Sequence, residues 1–392
     1  MDELCMRVPN IGKEIFNNLN DEDLVKSKEV SRTWSTFMDE EIFFWKRIIA
    51  KLIGGYNDFK ETWRIVTNKA GLSRTKELAN AVKFFLSKHP SQQCKDEPCS
   101  HREIPFSPLH IAAEVGQISI CQFIVDRVED KNPKNVHNVN WTPLHEAAQE
   151  GKLEICMYIM DHVEDKSPRD DLGQTPLHVA ASKGHLEVYK ELFNRVEKTE
   201  KNPRDIDGET PFHFAAQNGH LDLCCFLTDN FGDDHQKSND GNTPLHNAAS
   251  NGHLEVCVAI MDKISHDKNP SDDLGWTPLH CAAFNGYLDV CKAIMDNILD
   301  ENPKDNEGMT PLHYAAERGH LEVCTYIMDH LQNKNPKDNY DWTPLHYAAN
   351  EGHFDVYNAM TKIVDDKNLI CINGMTPREL LLRKVDEKNW GL

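Results

Sequence analysis

Residues 310–324 read Thr310-Pro311-Leu312-His313-Tyr314-Ala315-Ala316-Glu317-Arg318-Gly319-His320-Leu321-Glu322-Val323-Cys324, and this stretch decides the fold. Thr is a good helix N-cap, because its hydroxyl accepts a free amide of the first turn. Proline at the next position costs nothing, since that amide has no helical partner. The Ala315-Ala316 pair lets a second helix approach closely, and Gly319 suits the left-handed conformation that ends the first. A second helix is predicted from about Leu321 to Leu331, with Val323, Tyr326, Ile327 and Leu331 near helical spacing. Asn335-Pro336 stops it, because the residue before proline avoids the helical region. Asp305-Asn306-Glu307-Gly308 is a turn signal leading into the cap.

The same unit recurs. Ser/Thr-Pro stands at Ser107, Thr142, Thr175, Thr210, Thr243, Thr277, Thr310, Thr343 and Thr376, with spacings of 35, 33, 35, 33, 34, 33, 33 and 33. A period near 33 residues marks two-helix units that bury a core only by stacking on one another. The pattern resembles the ankyrin-repeat family over about residues 105–382. That resemblance implies paired antiparallel helices with a β-hairpin finger between repeats. The family's Gly-Ala-Asp segment after the second helix is missing; Ile298-Leu299-Asp300-Glu301-Asn302-Pro303 occupies its place, and a slightly longer second helix is expected there. The junction Phe231-Gly232-Asp233-Asp234-His235-Gln236 lacks the Asn-Pro stop and reads as a looser joint. Thr376-Pro377-Arg378-Glu379-Leu380 loses the His and becomes charged, as a terminal cap should.

The 392 residues suffice for two or three ordinary domains or one extended array. Apolar residues make up 39% and charged residues 27%, so the chain can bury a core. No stretch approaches the roughly 20 apolar residues of a membrane helix. Met1 to Arg7 lacks the apolar run of a secretory signal, so the twelve Cys are expected to be reduced and the protein to work in cytosol, nucleus or both. Residues 1–100 carry 16 Lys+Arg against 15 Asp+Glu; residues 101–392 carry 27 against 48. The acidic part should repel nucleic acid and anionic membrane and prefer partners with basic patches.

Residues 8–48 do not fit the repeat. Ile11, Ile15 and Leu19 recur every four residues after Pro9; Asp21 could cap a helix carrying Leu24, and Ser31 one carrying Trp34 and Phe37. Three short helices make a core too small to be comfortable alone, so a leftover apolar face is expected to dock elsewhere. Val8-Pro9, Asp23-Leu24, Val30-Ser31-Arg32-Thr33-Trp34 and Trp45-Lys46-Arg47-Ile48 together resemble the F-box family, with Val8 in place of the usual opening Leu and one extra residue before Trp45. The resemblance implies that Val8, Pro9, Ile11, Ile15, Leu24, Val30 and Trp34 form the module's core and the face for a Skp-family adaptor; sequence alone does not divide the two roles. It implies a substrate-receptor subunit of an SCF-type cullin ubiquitin ligase, whose solenoid holds an unknown protein substrate and whose catalysis belongs to other subunits. The rival reading is an ankyrin scaffold whose N-terminal helices merely cap the stack. Phe59, Trp63 and Val66 share one helical face, and Leu78, Val82, Phe85 and Leu86 another. The predicted architecture is therefore mostly α: an F-box-like three-helix module (1–50), a helical connector (51–103) and an ankyrin-repeat α-solenoid with β-hairpin fingers (104–392).

No catalytic signature survives inspection, and neither a cofactor nor a metal is expected. His145-Glu146-Ala147-Ala148-Gln149 approaches a zinc-protease motif but lacks its second His. His89, Cys94, Cys99 and His101 have no common zinc-module spacing. Of twenty His, eight occupy the Thr-Pro-Leu-His position and five follow the repeat Gly; local hydrogen bonding within each repeat is expected to account for them. Cys121, Cys156, Cys224, Cys257, Cys291 and Cys324 share one position in the second helix and read as small buried hydrophobes.

Partner contact falls on the variable positions. The ankyrin resemblance places the residue before Thr-Pro at the finger tip and the two after Ala-Ala along the same side. The candidates are Trp141, Gln149, Glu150, Trp276, Phe284, Asn285, Met309, Glu317, Arg318, Trp342, Asn350 and Glu351. The three Trp are expected either to stand exposed for a partner or to pack along the neighbouring finger.

Overall fold

A computed structural model describes residues 107–135, 139–231, 236–264 and 267–390, with side chains to Lys384. The F-box-like module, the connector and the His89–His101 cluster lie outside the described residues. So does most of the 231–236 junction.

Seventeen α-helices are described. They fall into two units, one holding the described residues to Ala180 plus Glu187–Lys201, the other Ala181–Leu186 plus everything from Asn202. The first unit contains α1 (Pro108–Val115), α2 (Ile118–Val125), α3 (Pro143–Gln149) and α4 (Leu153–His162). The division runs through α5 (Pro176–Lys183) and α6 (Leu186–Arg195). The second unit continues with α7 (Pro211–Gln217), α8 (Leu221–Phe231), α9 (Pro244–Ser250), α10 (Leu254–Lys263), α11 (Pro278–Asn285), α12 (Leu288–Met295), α13 (Pro311–Arg318), α14 (Leu321–His330), α15 (Pro344–Glu351), α16 (Phe354–Ile363) and α17 (Pro377–Trp390). Within each unit first helices pack on first helices and second on second: α1 on α3 and α2 on α4, then α7 through α17 in odd-numbered succession beside α8 through α16.

The core follows the repeat. Each Ala pair is fully buried, as at Ala282, Ala283, Ala315 and Ala316, and the small methyl groups let neighbouring helices approach closely. The six repeat Cys are 0–1% exposed. Burial pushes the thiols of Cys121, Cys156, Cys224, Cys257 and Cys291 up to about 12, which makes them inert small hydrophobes at neutral pH.

The fingers differ from expectation. Among the described residues no β-strand forms, only an isolated antiparallel bridge between Asn135 and Trp141. A typical finger holds a single rung, Asp305 N–H to Met309 C=O at 2.9 Å, closed by Gly308 N–H to Asp305 C=O. The Asp305 carboxylate accepts the amides of Glu307 and Met309. Proline explains the arrest. The next rung would pair Pro303 with Pro311, and neither has an N–H; the same holds for Pro168 with Pro176, Pro203 with Pro211, Pro270 with Pro278 and Pro336 with Pro344. Neighbouring fingers instead tie to each other, Asn306 N–H to Leu274 C=O and Asn339 N–H to Glu307 C=O.

The second helices are not lengthened. Instead α12 stops at Met295, and the residues beyond it turn on a side chain: the Asp300 carboxylate accepts the Asn302 amide at 3.1 Å. Asp267 with Asn269 and Asp366 with Asn368 repeat the device.

Candidate functional site: the finger side of residues 272–351

The site is built on the buried histidines. In α13 the Thr310 hydroxyl accepts the His313 amide, while the Thr310 amide donates to His313 Nδ1 at 2.9 Å. With Nδ1 accepting, Nε2 carries the proton and donates onward to Trp342 C=O at 3.3 Å, in the following finger. His280 reaches Met309 C=O and His246 reaches Trp276 C=O in the same way. Thus the repeat His bonds span successive repeats as well as closing their own caps, which corrects the expectation of bonding within each repeat. The His after the repeat Gly points the other way: His320 Nε2 lies 3.0 Å from Phe284 C=O, and His353 Nε2 2.8 Å from Glu317 C=O. Burial drives the imidazoles of His246 and His280 down to about 4 and that of His313 to about 3, so all three are neutral at physiological pH.

On this frame Trp276, Phe284, Tyr314 and Arg318 come together. Trp276 lies 4.4 Å from Tyr314 and 5.4 Å from Phe284 between ring centroids. The Arg318 guanidinium covers the Phe284 face at 4.0 Å. One repeat further on, Trp342 packs on Tyr347 at 5.2 Å. The two tyrosines are pinned by the turn carboxylates: Tyr314 donates to Asp305 at 2.6 Å and Tyr347 to Asp338 at 2.8 Å. Burial, and then the Asp305 bond, raises the Tyr314 phenol well above its ordinary range, so it remains a donor. Glu317, half-buried near Arg318 and Glu351, has its carboxyl raised by desolvation first; Arg318 opposes the shift and Glu351 adds to it.

The expected residues fare unevenly. Trp141, Trp276 and Trp342 are half-buried, not exposed, because each lies beside the His of its own repeat at 5.9, 6.3 and 5.8 Å. The Trp141 indole also donates to Asp170. Gln149 and Glu150 close α3, which belongs to the first unit. Met309 is 5% exposed and lies under the Tyr347 hydroxyl, so it supports the surface instead of facing outward. Asn285 bonds back to Cys281 C=O, and Asn350 to the Glu351 carboxylate. Tyr314 and Tyr347, at the position after the repeat His where the ankyrin family places buried framework, are buried and half-buried respectively, each held by its turn carboxylate, Asp305 or Asp338. The available signal was an aromatic residue after His in two consecutive copies of the motif.

A stack of capped helix pairs that presents aromatic and charged side chains along its fingers is a protein-interaction module. The family model for ankyrin repeats (three copies) matches residues 73–170, 162–239, 212–305 and 294–370. The chain belongs to the ankyrin-repeat family. The match does not reach residues 8–48. No curated protein matches the chain. Among the described residues no helix is long and apolar enough to cross a membrane.

Proposed function

We propose that the chain is the substrate receptor of an SCF-type cullin ubiquitin ligase. Residues 1–50 bind a Skp-family adaptor, residues 51–103 connect, and the repeats from 104 hold a target protein on the finger side. The chain itself is a non-catalytic adaptor that brings a target lysine near a charged conjugating enzyme and so raises its effective concentration. The observation that carries the partner-binding half is the cluster of Trp276, Phe284, Tyr314 and Arg318, large side chains gathered where a stack could have placed small polar ones. The adaptor half rests on the residues that resemble an F-box.

Purified Skp-family adaptor should be captured by the full chain. Replacing Pro9 and Leu24 together by charged residues should abolish capture while the helical circular dichroism of the repeats persists. Full-length wild-type protein that ignores the adaptor would leave a plain ankyrin scaffold with no part in ubiquitin transfer.

A further inference from the structure

The finger side carries a chemical signature beyond its aromatic content. The five turns 205–209, 238–242, 272–276, 305–309 and 338–342 contain ten carboxylates, of which Asp305 and Asp338 are buried under tyrosine hydroxyls, while Arg204, Lys237, Lys304 and Lys337 each stand directly before a turn and leave the acids in excess. Asp341 has φ +59 where the equivalent turn residues are glycines such as Gly275 and Gly308, and its carboxylate pairs with Lys337 at 2.8 Å. Leu274 and Tyr340 stand 67% and 52% exposed among these acids.

We infer that the finger side of residues 272–351 docks an arginine-bearing basic segment of a protein partner, its guanidinium groups lying on the accessible parts of the half-buried rings of Trp276, Trp342 and Tyr347 and pairing with Glu317 and Glu351. This deepens the proposed partner-binding role and rests on it. Charge complementarity selects a cation. The rings select which cation: guanidinium is planar and weakly hydrated, so it leaves water for an aromatic face more cheaply than an ammonium does. The surface already shows the interaction once, in Arg318 over Phe284. Glu317 and Glu307 lie close enough to Tyr347 to act on its phenol, so carboxylate and ring belong to one locality. Glu317 is half-buried and shares its surroundings with Arg318 and Glu351, the first a cation that partly offsets the desolvation of its carboxylate and the second a further acid.

The test uses the full chain and three fluorescein-labelled peptides at physiological ionic strength: Gly-Arg-Leu repeated four times, the same with lysine, and the same with neutral citrulline. Fluorescence anisotropy should show the arginine peptide binding at least about tenfold tighter than the citrulline peptide, with lysine between them. The double variant Glu317→Gln/Glu351→Gln should weaken the arginine peptide about tenfold. The charge-matched pair Glu255→Gln/Glu322→Gln, on exposed faces of α10 and α14, should change it less than about twofold. Equal binding of the arginine and citrulline peptides overturns the inference. So does an equal loss in both double variants, which would mean diffuse attraction to an acidic protein. Lysine binding as tightly as arginine overturns the stacking. If every peptide fails while adaptor capture persists, the receptor reading stands and only the basic character of its partner falls.

Discussion

One missing atom decides Gly319. Its φ of +79 is strained for any other residue, and a Cβ there would sit 2.6 Å from Nδ1 of His353, whose ring covers the glycine while Nε2 bonds Glu317 C=O. Gly374 has a similar φ of +72 with nothing within 4 Å of its Cβ position. Gly374→Ala should therefore cost about 1 kcal/mol, the left-handed strain alone. Gly319→Ala should cost about 2–3 kcal/mol, because the His ring must also move. Urea unfolding of the two variants separates the effects; equal losses would mean that the ring shifts freely. The N3 position of the first helix shows the same economy. His313 must both accept from Thr310 and donate onward to the next finger, and imidazole does both. In α17 the equivalent residue is Glu379, which accepts from the Thr376 amide at 2.7 Å and donates nothing.

At the scale of the element, α8 departs from its neighbours. Its eighth residue is Thr228 where α4, α10, α12 and α14 carry the buried Met160, Met261, Met295 and Met328 and α6 carries Phe193. The shorter side chain turns back to bond Cys224 C=O and opens a cleft lined by Phe212, Gln236, Leu245, Ile260 and Ile264. Gln236 itself stands where other fingers have proline, its amide oxygen accepting from the Thr210 hydroxyl. Thr228→Met should fill the cleft and raise stability by about 1 kcal/mol, seen as a higher melting temperature. A fall would mean that the hydroxyl's bond outweighs the lost packing. The helices were legible because Thr, Pro, the Ala pair and Gly each act within one turn of themselves. The single-rung fingers were not, since the proline that forbids a second rung does so only once Pro303 and Pro311 are placed opposite each other. The aromatic site was hidden for a similar reason: Trp276 and Tyr314 come from different copies of the motif, and stacking alone brings their rings to 4.4 Å.

Across the whole molecule, the buried imidazoles act together. Burial lowers His110, His145, His213, His246 and His280 to about 4, His313 to about 3, and His346 in the same direction. Folded values below the ordinary 6.5 mean that the unfolded chain binds more protons as pH falls. Stability is therefore complete above pH 6.5 and is lost as pH drops toward 4, at up to about 1.4 kcal/mol per pH unit for each His. Seven such groups rival the whole stability of a domain. The urea midpoint should fall steeply between pH 6.5 and 5; a flat profile would show that the folded repeats accept the protons.

The paired prolines have a last consequence, for behaviour among other molecules. A finger that stops after one rung offers no row of open amides to a foreign strand, and its carboxylates repel a second copy of itself. The stack thus displays a line of backbone turns to its surroundings without supplying a template for fibril growth. Replacing both Pro303 and Pro311 would lengthen the hairpin and expose the seed that the natural turn withholds.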